Sequence, residues 1–250
     1  MKNKYRNQIK IINYITSTDR FKLLFLLAII FSAYAAFVLG ISTDNFIDAI
    51  FIPFQFNIFN IIFFALIFLN NLNTCSTFET KFDYYIIRLQ NKKKFIKEML
   101  KNSILANLFY LLIFFLFYFM FLSLIKFGNF EIHSYLNYSI NNFTYVIYYL
   151  IRYILITVLI NVISTYLYLN FKTIITIGFN IIFLIGFMMI SISAEPINNI
   201  TLIIWNFLNQ TVFSNFSLDL TSFVAFIIIL EIIIIIMNKI TLKNKNVVIT

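Results

Sequence analysis

The chain alternates between long apolar runs and short polar breaks. Apolar runs cover about 21–41, 50–70, 104–125, 143–169, 173–193 and 220–237. Each is close to or above the ~20 residues that a helix needs to cross the hydrocarbon core. The pattern predicts an all-α integral membrane fold of six transmembrane helices in one domain, residues 21–250. Residues 1–20 read differently: Tyr5, Ile9, Ile12 and Ile15 recur at helical spacing among Lys, Arg and Asn. That predicts an amphipathic helix lying in the membrane interface. The pair Phe171-Lys172 predicts a very tight turn between the fourth and fifth spans. Over 197–219, Ile200, Ile203, Ile204, Phe207, Leu208 and Val212 keep a 3.6 period while Asn206, Asn209, Gln210 and Asn215 interrupt it. Short helices dipping into the outer interface are expected there, with Trp205 at headgroup depth.

Asn71 to Ser103 is the longest polar stretch and reads as a loop between spans two and three. Within it Phe78, Phe82, Tyr85, Ile86 and Leu89 share one helical face, and Glu79, Thr80, Asp83 and Gln90 flank it. A helix lying under the membrane is predicted, followed by a basic helix carrying Lys93, Lys97 and Lys101 into the third span. Glu98 stands between Lys94 and Lys101 at helical pairing distance.

Charge sets the orientation. Of the 19 Lys and Arg residues, 17 fall in segments 1–22, 71–103, 170–173 and 238–250, which hold six, seven, one and three. Asp44, Asp48, Glu131, Glu195 and Asp219 all fall on the opposite side. The positive-inside rule places both termini in the cytosol. The same asymmetry accounts for the net charge of +9 and removes the need to invoke nucleic acid. Hydrophobic residues make up 61% of the chain and charged ones 12%, about half the share usual in a soluble domain. Abundant Ile, Phe, Asn, Lys and Tyr point to an A/T-rich bacterial genome, so the expected location is the bacterial plasma membrane, in a multi-pass arrangement.

Candidate chemistry is sparse. One Cys (Cys75) and one His (His133) leave no metal cluster and no internal disulfide. The four glycines, Gly40, Gly128, Gly178 and Gly186, lie nowhere near a GxxxxGK[ST] phosphate loop. No catalytic, cofactor-binding or metal residues are assigned, and the chain does not read as an enzyme. Charges inside a membrane are functional candidates. Arg152 in the fourth span and Glu231 in the sixth qualify; they could pair, or Arg152 could snorkel outward. Ser32, Ala36 and Gly40 form an i, i+4, i+8 stripe of small residues on the first span, which allows close helix approach. Thr157, Asn161 and Thr165 form a polar stripe on the fourth span, and Thr173, Thr176 and Asn180 line the inner half of the fifth. They fit interhelical hydrogen bonding better than a substrate route.

This layout resembles the permease subunit of type-2 (ABC-2) ABC transporters. In that family an N-terminal elbow helix precedes six spans, a large first cytosolic loop separates spans two and three, the second loop is very short, and re-entrant helices lie outside between spans five and six. Glu79, Tyr85-Ile86-Ile87-Arg88 and Lys92-Lys93-Lys94-Phe95 stand where the family has an acidic residue, an apolar stretch and a basic run. The Gly usual after the acidic residue is absent. The resemblance implies that Phe78, Glu79, Phe82, Asp83, Tyr85, Ile86, Arg88 and Leu89 form a coupling helix on which an ABC ATPase subunit docks. It implies a second permease subunit, identical or related, and places Ser32, Ala36, Gly40, Gly178 and Gly186 at the interface or along the translocation path. ATP and Mg would be held by the partner chain. Cargo would be a peptide or another amphipathic or lipophilic molecule, exported or neutralised in self-immunity. The alternatives are a stand-alone membrane immunity or binding protein that needs no ATPase, the substrate-binding membrane subunit of a vitamin importer, and an intramembrane enzyme, for which catalytic residues are wanting.

Overall fold

A computed structural model describes residues 16–40, 46–51, 57–81, 92–125, 142–193 and 216–243. Residues 1–15 of the interfacial helix expected over 1–20, and residues 197–215 of the outer segment expected over 197–219, lie outside the described residues. All the described elements are helical: α1 (Asp19–Tyr34), a π turn (Ala35–Leu39), α2 (Phe46–Phe51), α3 (Asn57–Lys81), α4 (Lys92–Ile125), α5 (Asn142–Ser193) and α6 (Phe216–Lys243). Among the described residues, five helical stretches are long and apolar enough to cross a membrane, and a shorter sixth runs over Thr173–Gly186. The protein is a multi-pass helical membrane protein.

Helix α1 starts where Thr18 caps it: the Phe21 amide donates to Thr18 Oγ1 at 3.2 Å, and Asp19 adds negative charge to the first turn. Phe21, Leu24, Ala28 and Phe31 form its buried face, while Leu23, Leu26 and Ile30 point away from the bundle. A helix apolar on both faces is stable only where its outer side also avoids water, as in lipid. The buried face lies on α4. Tyr110 Oη donates to the Leu24 carbonyl at 3.1 Å, Phe21 stacks with Phe109, and Phe25 meets Phe117 edge-on. At the far end, the Tyr118 hydroxyl donates to the Ala49 carbonyl of α2.

α3 is the central helix and packs most extensively against α5 and α4. Its aromatic core begins with Phe59 and Phe63, which gather Phe31 of α1, Phe114 of α4 and Tyr153 of α5, in stacked and edge-on pairs with centroids 4.6–6.3 Å apart. Such offsets suit the ring quadrupoles.

Every residue from Asn142 to Ser193 is helical, yet α5 is not one rod. Ser164 Oγ donates to Asn180 Oδ1 at 2.9 Å across 16 residues. Along a straight helix that separation is about 24 Å. The chain therefore reverses, and 164 and 180 are symmetric about 172, where the Phe171-Lys172 turn was expected. Phe171 and Phe179 stack beside it. α5 is a hairpin of two apolar arms, Val146–Phe171 and Thr173–Gly186. α6 packs on it as the outermost helix, with many isoleucines exposed.

Several contacts gather one end of the bundle. Lys92 Nζ donates to the Leu242 carbonyl at 3.3 Å, Asn170 Nδ2 to Thr241 Oγ1 at 2.8 Å, and Asn73 Nδ2 to Thr18 Oγ1 at 3.4 Å. The start of α1, the end of α3, the start of α4, the α5 turn and the end of α6 thus lie together, and they bring Arg20, Lys22, Lys92 and Lys243 to the same end.

Among the described residues the second apolar stretch long enough to cross a membrane is Ile58–Glu79, which runs on past the expected end near residue 70. α4 is helical from Lys92, in keeping with the basic helix expected to carry Lys93, Lys97 and Lys101 into the third span. The polar stretch from Asn71 to Ser103 is therefore mostly helix, and its two ends run into the bundle.

Candidate functional site: a buried polar knot across three helices

Four polar positions of the Asn71–Ser103 stretch, Asn71, Thr74, Asn102 and Ser103, are among the most buried in the protein. Asn70, Asn71 and Thr74 of α3, Asn102, Ser103 and Asn107 of α4, and Thr157, Asn161 and Thr165 of α5 are all at most 1% exposed. Within each helix the knot uses i, i+4 pairs: 70 with 74, 71 with 75, 103 with 107, 161 with 165. That spacing places both members on one face.

Asn107 is the hub. Its Oδ1 accepts from Asn70 Nδ2 at 2.6 Å, and its Nδ2 donates to Asn161 Oδ1 at 2.6 Å and to the Ile67 carbonyl at 3.0 Å. One side chain thereby joins α3, α4 and α5. Asn161 Nδ2 donates back to the Thr157 carbonyl at 2.8 Å, which orients its amide. Ser103 Oγ lies within reach of both Asn71 Oδ1 and, at 3.0 Å, Asn161 Oδ1. A serine has one proton to give, so it serves one acceptor at a time. Thr165 Oγ1 donates to Asn71 Oδ1 or to Ser103 Oγ, each at 3.3 Å, and the Cys75 thiol also points at Asn71 Oδ1, at 3.4 Å. Asn71 Oδ1 thus collects three candidate donors. Asn70 Oδ1 has no hydrogen-bond partner among the described residues.

The knot has neutral donors and acceptors only. It has no nucleophile–base pair, and among the described residues no three His, Cys, Asp or Glu side chains converge to hold a metal ion. What it does chemically is satisfy polar groups inside a membrane protein, where an unpaired one costs several kcal/mol. The expected interhelical role for Asn161 and Thr165 matches this geometry. Thr176 and Asn180 are buried as well: Asn180 Nδ2 donates to the Thr176 carbonyl at 2.7 Å and its Oδ1 accepts from Ser164.

Of the proposed docking residues, Phe78 is fully buried against Phe95 of α4, with centroids 5.9 Å apart. Glu79 is half-buried and accepts from Tyr168 Oη at 2.7 Å. Both side chains are committed within the chain. Phe82, Asp83, Tyr85, Ile86, Arg88 and Leu89 lie outside the described residues.

Among the small residues, Ser32, Ala36 and Gly40 are buried within this chain. Ser32 Oγ donates to the Ile29 carbonyl at 2.8 Å. A Cβ on Gly40 would stand 2.8 Å from Leu122 Cδ1, so the close approach is between the end of α1 and α4. Around Gly178 and Gly186 an added Cβ meets nothing within 4 Å. Gly178 lies on an open face with Ile174, Ile181 and Ile182. Arg152, about three turns into α5, is 1% exposed, so it does not snorkel outward from the bundle surface. Glu231 is exposed on α6, and among the described residues no ion pair joins the two.

The hub residues Asn70 and Asn107 escaped the sequence reading. Their signal was the repeated i, i+4 polar pairing on three separate apolar helices. No protein-family model, curated protein or solved structure matches this chain.

Proposed function

We propose that the protein is the membrane-spanning permease subunit of a type-2 ABC transporter, exporting a peptide or other amphipathic cargo with ATP hydrolysed by a separate subunit. The observation that carries the reading is the basic end of the bundle. The start of α1, the end of α3, the start of α4, the α5 turn and the end of α6 converge there, and α3 and α4 continue as helices beyond their apolar stretches, leaving only residues 82–91 to connect them. By the positive-inside rule this end faces the cytosol and the termini with it. A short connection with Phe82, Tyr85, Ile86 and Leu89, flanked by Lys81 and Lys92, offers apolar anchors in a basic setting for a soluble partner. With Phe78 and Glu79 held inside the bundle, those later residues carry the docking role, and the knot above them keeps the two supporting helices rigid. In this reading the membrane is the bacterial plasma membrane.

The test is purification from native membranes, with an ABC ATPase expected to co-purify. Phe82→Asp and Tyr85→Asp should each cut the captured ATPase by about tenfold or more, as loss of an aromatic anchor does at an interface, with insertion unchanged. Full ATPase capture and transport by both variants would refute the docking role. Complete function in cells lacking any such ATPase would instead establish the stand-alone immunity reading.

A further inference from the structure

α1 and α3 run antiparallel, and two hollows lie along their seam on the outside of the bundle. At the basic end is a crevice of about 330 Å³ that includes Arg20, Leu23, Leu69, Asn73, Ser76 and Thr173. About one turn further along the same two helices lies a second cavity, of about 490 Å³, lined only by apolar and aromatic side chains, with Leu27, Ile30, Ile58 and Ile62 on its walls. Phe31 and Phe59 form its floor, stacked with centroids 4.6 Å apart. From Arg20 to Tyr34 the seam runs about 21 Å at 1.5 Å per residue. One leaflet of the hydrocarbon core is about 15 Å deep. The seam therefore spans a headgroup region and a full leaflet of acyl chain.

The chemistry changes along the seam as it does along a phospholipid. Asn73, Ser76 and Thr173 bring amide and hydroxyl groups to the crevice. Arg20 brings a guanidinium with no hydrogen-bond or ion-pair partner among the described residues. The neighbouring charges cancel, since Lys22 Nζ pairs with Asp19 Oδ1 at 3.0 Å. A planar guanidinium at the membrane edge is suited to a phosphate diester, which it can grip with two parallel hydrogen bonds. Charge complementarity at one end and continuous apolar lining at the other favour one occupant. We propose that the α1–α3 seam is a binding site for an anionic phospholipid, with its phosphate on Arg20 and one acyl chain over Phe31 and Phe59. This rests on the membrane placement of the helices and not on the permease reading.

The test uses the full chain, purified in a mild detergent and mixed with phosphatidylglycerol or phosphatidylcholine, with retained lipid counted by native mass spectrometry. The parent protein should retain phosphatidylglycerol preferentially. Arg20→Gln should weaken that retention about tenfold, as loss of one charge-assisted contact implies, and should leave phosphatidylcholine unchanged. Arg20→Lys should restore part of it. Lys243→Gln removes the same formal charge from an exposed side chain at the same end that does not line the crevice, so it should have little effect. Ile62→Trp should fill the apolar part and lower retention of both lipids. Equal losses in Arg20→Gln and Lys243→Gln would overturn the site in favour of diffuse surface charge, and unchanged retention in Arg20→Gln would overturn it outright. Efficient disulfide cross-linking between copies through Ile62→Cys in native membranes would show a second copy in the groove and equally overturn the lipid assignment.

Discussion

Replacing Asn107 by Leu tests whether the polar knot holds the bundle together. The substitution roughly preserves size and removes three hydrogen bonds: from Asn70, to Asn161 and to the Ile67 carbonyl. Interhelical hydrogen bonds in membrane proteins average about 0.6 kcal/mol each, so the direct loss is about 2 kcal/mol. The groups left behind have fallbacks. Asn70 Nδ2 still has the Ala106 carbonyl at 3.4 Å, and Asn161 Oδ1 still has Ser103 Oγ at 3.0 Å. No full desolvation penalty is added, which holds the expected cost near 2 kcal/mol. Asn107→Asp keeps the shape but faces two acceptors, Asn161 Oδ1 and the Ile67 carbonyl, with an acceptor where a donor stood. An ionised side chain at such depth costs about 3 kcal/mol, so this variant should fall further than Asn107→Leu. Reversible unfolding by sodium dodecyl sulfate in mixed micelles, followed by circular dichroism, measures both. A double-mutant cycle with Asn161→Leu should return a coupling of about 0.6–1.7 kcal/mol. If Asn107→Leu and Asn107→Asp both stay within about 0.5 kcal/mol of the parent, the knot is not a structural clamp.

The remaining predictions concern packing and topology. Gly40→Ile should destabilise by about 1–3 kcal/mol through overpacking against Leu122, whereas Gly178→Ala, in open space, should be neutral or up to about 1 kcal/mol stabilising by helix propensity; the same unfolding assay separates them. Phe78→Ala should cost about 3 kcal/mol through the cavity left beside Phe95, and a cost near zero would show that this ring is not packed inside. With Cys75 replaced by Ser, the pair Ser164→Cys and Asn180→Cys should join within one chain under a short bifunctional reagent, because the α5 hairpin sets these positions side by side. Failure to link in folded protein would contradict the hairpin.

Much of the architecture was legible in the chain itself. Apolar run length and the one-sided Lys and Arg distribution are properties of local composition read against a slab of fixed thickness. They yielded the helical membrane class, most of the passes and the turn at Phe171-Lys172, which the Ser164–Asn180 contact bears out. The small-residue stripe also announced close packing, and Gly40 meets Leu122. What composition could not supply was the identity of each partner. Asn71, Asn102 and Ser103 looked wet because hydropathy scores each residue alone. A polar side chain is tolerated inside a membrane protein when other side chains complete its hydrogen bonds, and those of Asn71 come from positions up to 94 residues away. Only the packing of α3, α4 and α5 brings the donors and acceptors together. For the same reason the sequence did not show that Phe78 packs on Phe95 or that the half-buried Glu79 accepts from Tyr168. Sequence periodicity sets which residues share a face. The neighbouring helix decides whether that face meets water, lipid or its own chain.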